Sequence, residues 1–383
     1  MAFDFPASPI VGQQYAPAGG PVYQWNGTAW VVVEAPQLFA TVESRNRIVN
    51  GAMQISQENG DTASASAASN LAYYPADQWA GRWSVSPGSM NCVRYAGPMG
   101  VNGSAMIYMN VLTAKASLAA GDYAVLTTNI EGKRVADFQW GTAAAKAVVL
   151  RFTMYAPVSG TYSVRIANSA ANRAFVAQFP LVAAVPSIIV ISIPGDTTGT
   201  WLKDTGVGMS IDFVLAVGST YTGTTGWQAG NVYAGPGQAN GVSATGQFQL
   251  YDVGLYLDPD NTGLPPKWQM PDEAEELRAC QRYFWRWDSS ESAFNVLGLG
   301  QYLTATTFLT PIVNPVKMRG APAVSFSAAA TFAPTTTTAI STDVMTSTNL
   351  RINSVVSGGV AKQAELLSAR SVTTAFINVS ARM

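Results

Sequence analysis

Between residues 45 and 257 the chain repeats one pattern: a short segment alternating apolar and polar residues, then a turn marked by Gly, Pro or Ser. VVLRFTMYA (148–156) alternates around Leu150, Phe152 and Met154, and TYSVRIAN (161–168) follows a Ser159-Gly160 turn. SIIVISIPG (187–195) ends in proline and glycine, MSIDFVLAVG (209–218) alternates again, and QFQLYDVGLYL (247–257) closes the series. A period of two puts one face of a strand on a core and the other in water. Many such strands at near-regular spacing predict a mainly β fold, a jelly-roll-like β-sandwich of two packed sheets.

Two segments flank the sandwich. Ahead of it, Val22–Trp25 and Ala29–Val33 are short aromatic and β-branched runs joined by Asn26-Gly27, a strong hairpin signal. So small a hairpin must pack on something else. Behind it, PDEAEELRACQRYFWRW predicts a helix from Pro271 to Trp287. Proline and acidic residues stand at its start, arginines follow toward its end, and Leu277, Cys280, Phe284 and Trp287 form an apolar stripe. Strand-like, Thr-rich segments continue to the C-terminus. They fit either laterally associating chains or a small β domain with threonines in water. The expected organisation is an attachment segment over 1–40, the sandwich over 41–264, and a helix plus C-terminal β region over 265–383.

Composition removes whole classes of chemistry. The chain has no histidine, so imidazole triads, His zinc sites and His proton shuttles are absent. Charged residues make only 12% of the chain and the net charge is −1, which gives no grip on nucleic acid or an anionic bilayer. Cys92 and Cys280, far apart in sequence, read as two buried free thiols and not as a disulfide framework or a zinc site. No signal peptide follows Met1, and the longest apolar stretch, 179–193, is broken by Pro180 and Pro186. The expectation is a protein made in the cytoplasm, with no membrane insertion, no metal and no cofactor.

Several motifs appear in a fixed order: RNRIVNGAMQISQENG (45–60), YPADQW (74–79), IEGKRVADFQWGTAAAKAVVLRFTMYAPVSGTYSVRIAN (130–168), IPGDTTGTW (193–201), ELRACQRYF (276–284) and NPVKMRGAPAV (314–324). In this order over 45–324 the sequence resembles a family of bacteriophage and prophage tail-fibre or receptor-binding proteins, described as carbohydrate-binding-like. The resemblance implies a β-rich virion structural protein, a homotrimer, made in the host cytoplasm and used in attachment to a host-surface glycan. It also implies that the N-terminal hairpin, with Tyr23, Trp25 and Trp30, attaches to another virion protein. Members often end the sandwich with a Gln-Leu-Glu stretch; here the region reads GLYLDPDNTGLPPKWQMP, so the link to the helix is expected to be rebuilt.

Candidate sites follow from these readings. Trp201 and Trp227 stand beside Gly-Thr turns and are the expected exposed pair for stacking on sugars, while Trp79 and Trp140 are read as core. Phe284 and Trp287, at the aromatic end of the helix, are candidates for an oligomer contact. Asp258 to Gly263 has the start of a calcium loop, but the twelfth place is Gln269 where a bidentate glutamate is needed, so a plain turn is the better reading. Polysaccharide cleavage would need two carboxylates about 5 to 10 Å apart. Asp77, Asp122, Asp137, Asp212 and Asp252 are available, with Asp77 and Asp137 equally readable as ion-pair partners of Arg82 and Arg134. The leading expectation is non-enzymatic adhesion; a purely architectural collar, neck or capsid fibre and a depolymerase are the alternatives.

Overall fold

The computed structural model of the protein describes residues 5–15, 23–32, 45–65, 69–85, 88–97, 103–333 and 337–383. The chain divides into two compact units, Met1–Arg45 and Asn46–Met383. Val22, Val33, the expected boundary near residue 40 and part of the Thr-rich run at 335–338 lie outside the described residues.

In the first unit, strands Gln14–Tyr15, Tyr23–Trp25 and Trp30–Val32 form an antiparallel sheet. The expected hairpin is present, but Trp25 pairs with Trp30, so the turn holds four residues and not two. Asn26 Oδ1 accepts from the backbone N–H of Thr28 and Ala29, at 2.9 and 2.8 Å, which folds the longer turn. Gly27 takes φ +99°, a conformation that glycine adopts without strain. Phe5 stacks on Trp30 at 5.4 Å, and Trp25 tilts against Trp30 at 5.8 Å, so the aromatic residues make a small cluster of their own.

The second unit opens with the β-sandwich. One sheet has seven strands, in spatial order Gly226–Ala229, Arg173–Leu181, Gly160–Ala167, Val207–Val217, Tyr123–Glu131, Trp79–Ser84 and Ser69–Ala76. The other has five: Ser187–Ile193, Val148–Tyr155, Gly246–Leu257, Met106–Thr113 and Ser89–Tyr95. All the ladders are antiparallel. The alternating residues close on each other between the sheets: Leu150, Phe152 and Met154 meet Val164, Ile166, Ile211 and Phe213 in one core. Phe152 stands edge-on to Phe179 at 5.2 Å and to Phe213 at 4.9 Å. Each such ring, fully buried, stabilises the fold by about 1.5–3 kcal/mol.

The C-terminal region has a second core. A three-stranded sheet (Phe284–Asp288, Phe376–Ser380, Ala323–Phe326) packs with a six-stranded sheet ordered Phe332–Ala333, Ala364–Ala369, Val296–Thr304, Thr307–Val313, Asn349–Val355 and Ala339–Met345. The helix before it is shorter than expected. It runs Glu273–Gln281, capped by Asp272, whose side chain accepts from the Glu275 N–H at 3.0 Å. From Phe284 the chain is extended and pairs with Phe376–Ser380. Aromatic residues suit a strand better than a helix, and here sheet pairing outweighs the 3–4 spacing. As a strand the segment buries both faces: Trp285 enters the C-terminal core, and Phe284 lies under the Arg382 guanidinium at 3.8 Å. The inner face of the helix is completed by Tyr283, which packs with Cys280, Val49 and Ile55.

Candidate functional site

The outward face of the five-stranded sheet carries the most coherent set of unspent binding groups. Its inward residues, Met90, Cys92, Ile107, Met109, Phe248 and Leu250, belong to the core. The alternate positions must then point outward, and the ladder register aligns them in two rows. One row is Asn91, Asn110 and Gln247; the next is Val93, Tyr108, Gln249 and Tyr155. With strands 4.7–4.9 Å apart, four strands give a platform about 14 Å wide. Tyr95 and Tyr108 stack at 5.7 Å with rings 7° from parallel, and Tyr95 is 44% exposed. Asn110 Nδ2 donates to Asn91 Oδ1 at 2.7 Å, while Asn110 Oδ1, itself shielded from solvent, has no donor among the described residues. The two rows contain no charged side chain. Burial and the neighbouring Tyr95 raise the Tyr108 phenol above its ordinary value, so it remains an O–H donor at neutral pH.

The other end of the same face is closed. The segment after Leu257 places Trp268, 9% exposed, against the Arg151 guanidinium at 5.5 Å. This segment is the link between sandwich and helix. Its Asp258–Gly263 portion is a turn: the Asp258 carboxylate accepts from the backbone N–H of Thr262 and Gly263 at 2.9 and 2.7 Å. The Asp258 oxygens, which a calcium loop would direct inward, are used in closing that turn.

The tryptophans at the Gly-Thr turns are placed differently from expectation. Trp201 is 8% exposed and Trp227 is half-buried; together with Trp140 they form a cluster of mutually edge-on rings at 4.8, 5.2 and 5.7 Å. Their indole N–H groups donate within the chain, Trp140 to the Lys146 carbonyl, Trp201 to Asp196 and Trp227 to the Pro194 carbonyl. The turn folds back over its own indole, and the sequence gives no sign of that. Arg173 pairs with Asp196 at 2.6 Å and also lies over Trp227. Burial opposes ionisation of Asp196, but hydrogen bonds from Arg173, Trp201 and Thr198 outweigh it and hold the carboxyl below its usual value.

The five aspartates are engaged in the fold. Asp122 pairs with Lys115 at 2.6 Å, Asp137 with Arg47 at 2.8 Å and Asp212 with Arg165 at 3.2 Å; Asp252 accepts from the Ser104 hydroxyl. Asp137 thus pairs with Arg47 and not Arg134, and Asp77 with Gln57 and Arg382 and not Arg82. Asp77 is 2% exposed, and burial pushes its carboxyl up to about 6 despite Gln57 and Arg382. Arg382 bonds Glu58 and is clasped between the rings of Tyr74 and Phe284. Phe284 itself is 1% exposed, filled by contacts within its own chain, and Trp287 is half-buried beside Phe332. Cys92 and Cys280 are free, and burial raises both thiols. Among the described residues no helix is long and apolar enough to cross a membrane.

No family profile matches the chain, and no curated protein matches it. Solved structures that resemble it include the enzymatically active domain of tailspike protein 4 of bacteriophage CBA120, at 10% identity and TM-score 0.31, over 56% of this chain and 21% of that one. A family 11 carbohydrate-binding module of a Clostridium thermocellum cellulase matches at 12% identity and TM-score 0.27, over 51% of this chain and 97% of that one. The CBM22-1 xylan-binding domain of Paenibacillus barcinonensis Xyn10C matches at 7% identity and TM-score 0.25, over 52% and 97%.

Proposed function

We propose that the chain is a non-enzymatic adhesion component of a bacteriophage virion, a tail-fibre or receptor-binding protein that holds a host-surface glycan on the outward face of its five-stranded sheet. The two aligned rows carry this reading: phenols and carboxamides offer both donors and acceptors to sugar hydroxyls, and the Tyr95 and Tyr108 rings offer apolar faces for C–H groups. The absence of charge in the rows favours a neutral saccharide. The order of motifs over 45–324 supports the virion setting, and the engagement of the five aspartates with neighbouring side chains supports binding without cleavage. The N-terminal unit attaches the protein to another virion component through Tyr23, Trp25 and Trp30. Several copies act together, as a homotrimer, so individually weak contacts gain about 10²–10⁴-fold in avidity.

Affinity electrophoresis in gels cast with host surface polysaccharide tests the site. The whole protein is expected to be retarded, with Tyr108→Ala and Gln249→Ala each weakening retention about tenfold. Equal retention of both variants would remove this face from the reading. Release of reducing sugar by the wild-type protein would establish the depolymerase instead. Particle-bound protein with no affinity for host polysaccharide would establish the architectural alternative.

A further inference from the structure

The six-stranded C-terminal sheet departs from the pattern of an antiparallel sheet with one dry and one wet face. Its inward residues, among them Tyr302, Phe308, Ile312, Leu350 and Leu367, fill the second core. The outward positions of its central strands are also largely apolar, with Gln301 the polar residue between Leu299 and Leu303. Leu299, Leu303, Val313 and Leu366 are 62%, 63%, 80% and 47% exposed, and Leu299 sits directly opposite Leu366. Leu299 and Leu303, with Gln301, Leu309 and Pro311, border an open trough of about 400 Å³. Burial of this surface inside the chain is already complete on its other side, so nothing in the fold requires these residues to be apolar.

We propose that this face is the self-association surface of the protein, covered by the same region of a second copy. Three observations favour a copy over another partner. First, the apolar centre is bordered by neutral polar residues, Thr307, Asn349, Asn353 and Ser368, the arrangement of a protein–protein interface. Second, the outward positions of strands 296–304, 307–313, 349–355 and 364–369 carry one charge, Arg351, already paired with Asp343 at 2.7 Å. A strongly charged partner finds no counter-charge there, whereas a copy presents the same uncharged, apolar surface. Third, flat sheet faces pack against each other about 10 Å apart, with side chains interdigitating across the gap. Phe284 and Trp287, the residues expected to make oligomer contacts, are turned into their own chain, and this face takes that role. The inference rests on the multi-copy part of the reading above and is independent of its glycan part.

Light scattering coupled to size exclusion, on the full chain at micromolar concentration, reads the mass. The wild-type protein is expected at three times 40.4 kDa, and Leu303→Asp at 40.4 kDa with unchanged near-UV circular dichroism. Ile188→Asp, 60% exposed on the five-stranded sheet, is the control expected to keep the wild-type mass. Should Leu303→Asp fail to fold, Gln301→Cys replaces it. Cys92 and Cys280 are buried, so a short bismaleimide should link two Gln301→Cys chains and leave wild type unlinked. A monomeric wild-type protein overturns the multi-copy reading and this face together. An unchanged mass for Leu303→Asp, or no crosslink through Gln301→Cys, overturns this face alone. Polysaccharide binding by the monomeric variant, weakened by the lost avidity and reduced further by Tyr108→Ala, keeps the glycan reading separate.

Discussion

Glu131 holds the sandwich to the C-terminal region, and its removal should uncouple them. It ends the Tyr123–Glu131 strand, is 1% exposed, and accepts from Arg282 Nη2 and Nε at 2.6 and 2.7 Å and from the Tyr283 hydroxyl at 2.9 Å. Breaking a buried pair by deleting one partner costs about 3–5 kcal/mol. The Arg282 side chain is 29% exposed, so water can reach the abandoned guanidinium and the cost falls toward the lower figure. Tyr283, 1% exposed, loses its acceptor for about 1–2 kcal/mol more. Glu131→Ala should therefore cost about 4 kcal/mol, and Glu131→Gln, which keeps a neutral acceptor, about half as much. Because each side has its own hydrophobic core, the loss should appear as separation of one calorimetric transition into two, with the C-terminal core melting first. A double-mutant cycle with Arg282→Ala isolates the pair. A single, undivided transition in Glu131→Ala, with a coupling energy below about 0.5 kcal/mol, would refute the reasoning.

Two further outcomes follow from the same junction and from the tryptophan cluster. Asp77 titrates at about 6 in the fold because burial outweighs Gln57 and Arg382, against an ordinary value near 3.8 when unfolded. The folded state then binds the proton more tightly, so this stabilisation is full below about pH 4 and is lost as the pH rises through 6, on the order of 3 kcal/mol in all. Urea denaturation between pH 4 and 7 should show that slope in wild type and a flatter one in Asp77→Asn; equal slopes would remove Asp77 as its source. Trp227→Ala should lower stability by about 2–3 kcal/mol, less than a fully buried tryptophan because the ring is half-buried, with retention on host polysaccharide unchanged. A folded Trp227→Ala protein that no longer binds would return the site to the tryptophan cluster.

The sandwich was legible in the sequence because alternation with period two is a direct imprint of one buried and one wet face. The five segments read as strands all lie in the two sheets. Where two signals competed, local pattern failed. Phe284 and Trp287 satisfy helical spacing, but their ring-rich neighbourhood pairs with a strand almost a hundred residues further on, and no local window contains that partner. The exposed face of the six-stranded sheet was hidden for a related reason: outward leucines read as core until the other side is seen to be full.

In the first of the motifs that carry the resemblance, Asn46, Asn50 and Gly51 are fastenings. Asn46 Oδ1 accepts from the N–H of Ile48 and Leu255 while its Nδ2 donates to the Val253 carbonyl; Asn50 joins Ile55 to Asp77; and a Cβ on Gly51 would fall 2.2 Å from the Val253 carbonyl oxygen. Asn and Gly recur there because only a small polar side chain, or none, fits between the first segment and the last strand of the sandwich. Such positions identify a scaffold and are silent about its ligand. The proposed binding rows, by contrast, consist of ordinary Tyr, Asn and Gln on outward strand positions, with no spacing of their own beyond the alternation. Their meaning comes from register: Asn91, Asn110 and Gln247 are neighbours only once strands far apart in sequence are paired. A binding face assembled this way can change its ligand by single outward substitutions while every fastening stays in place.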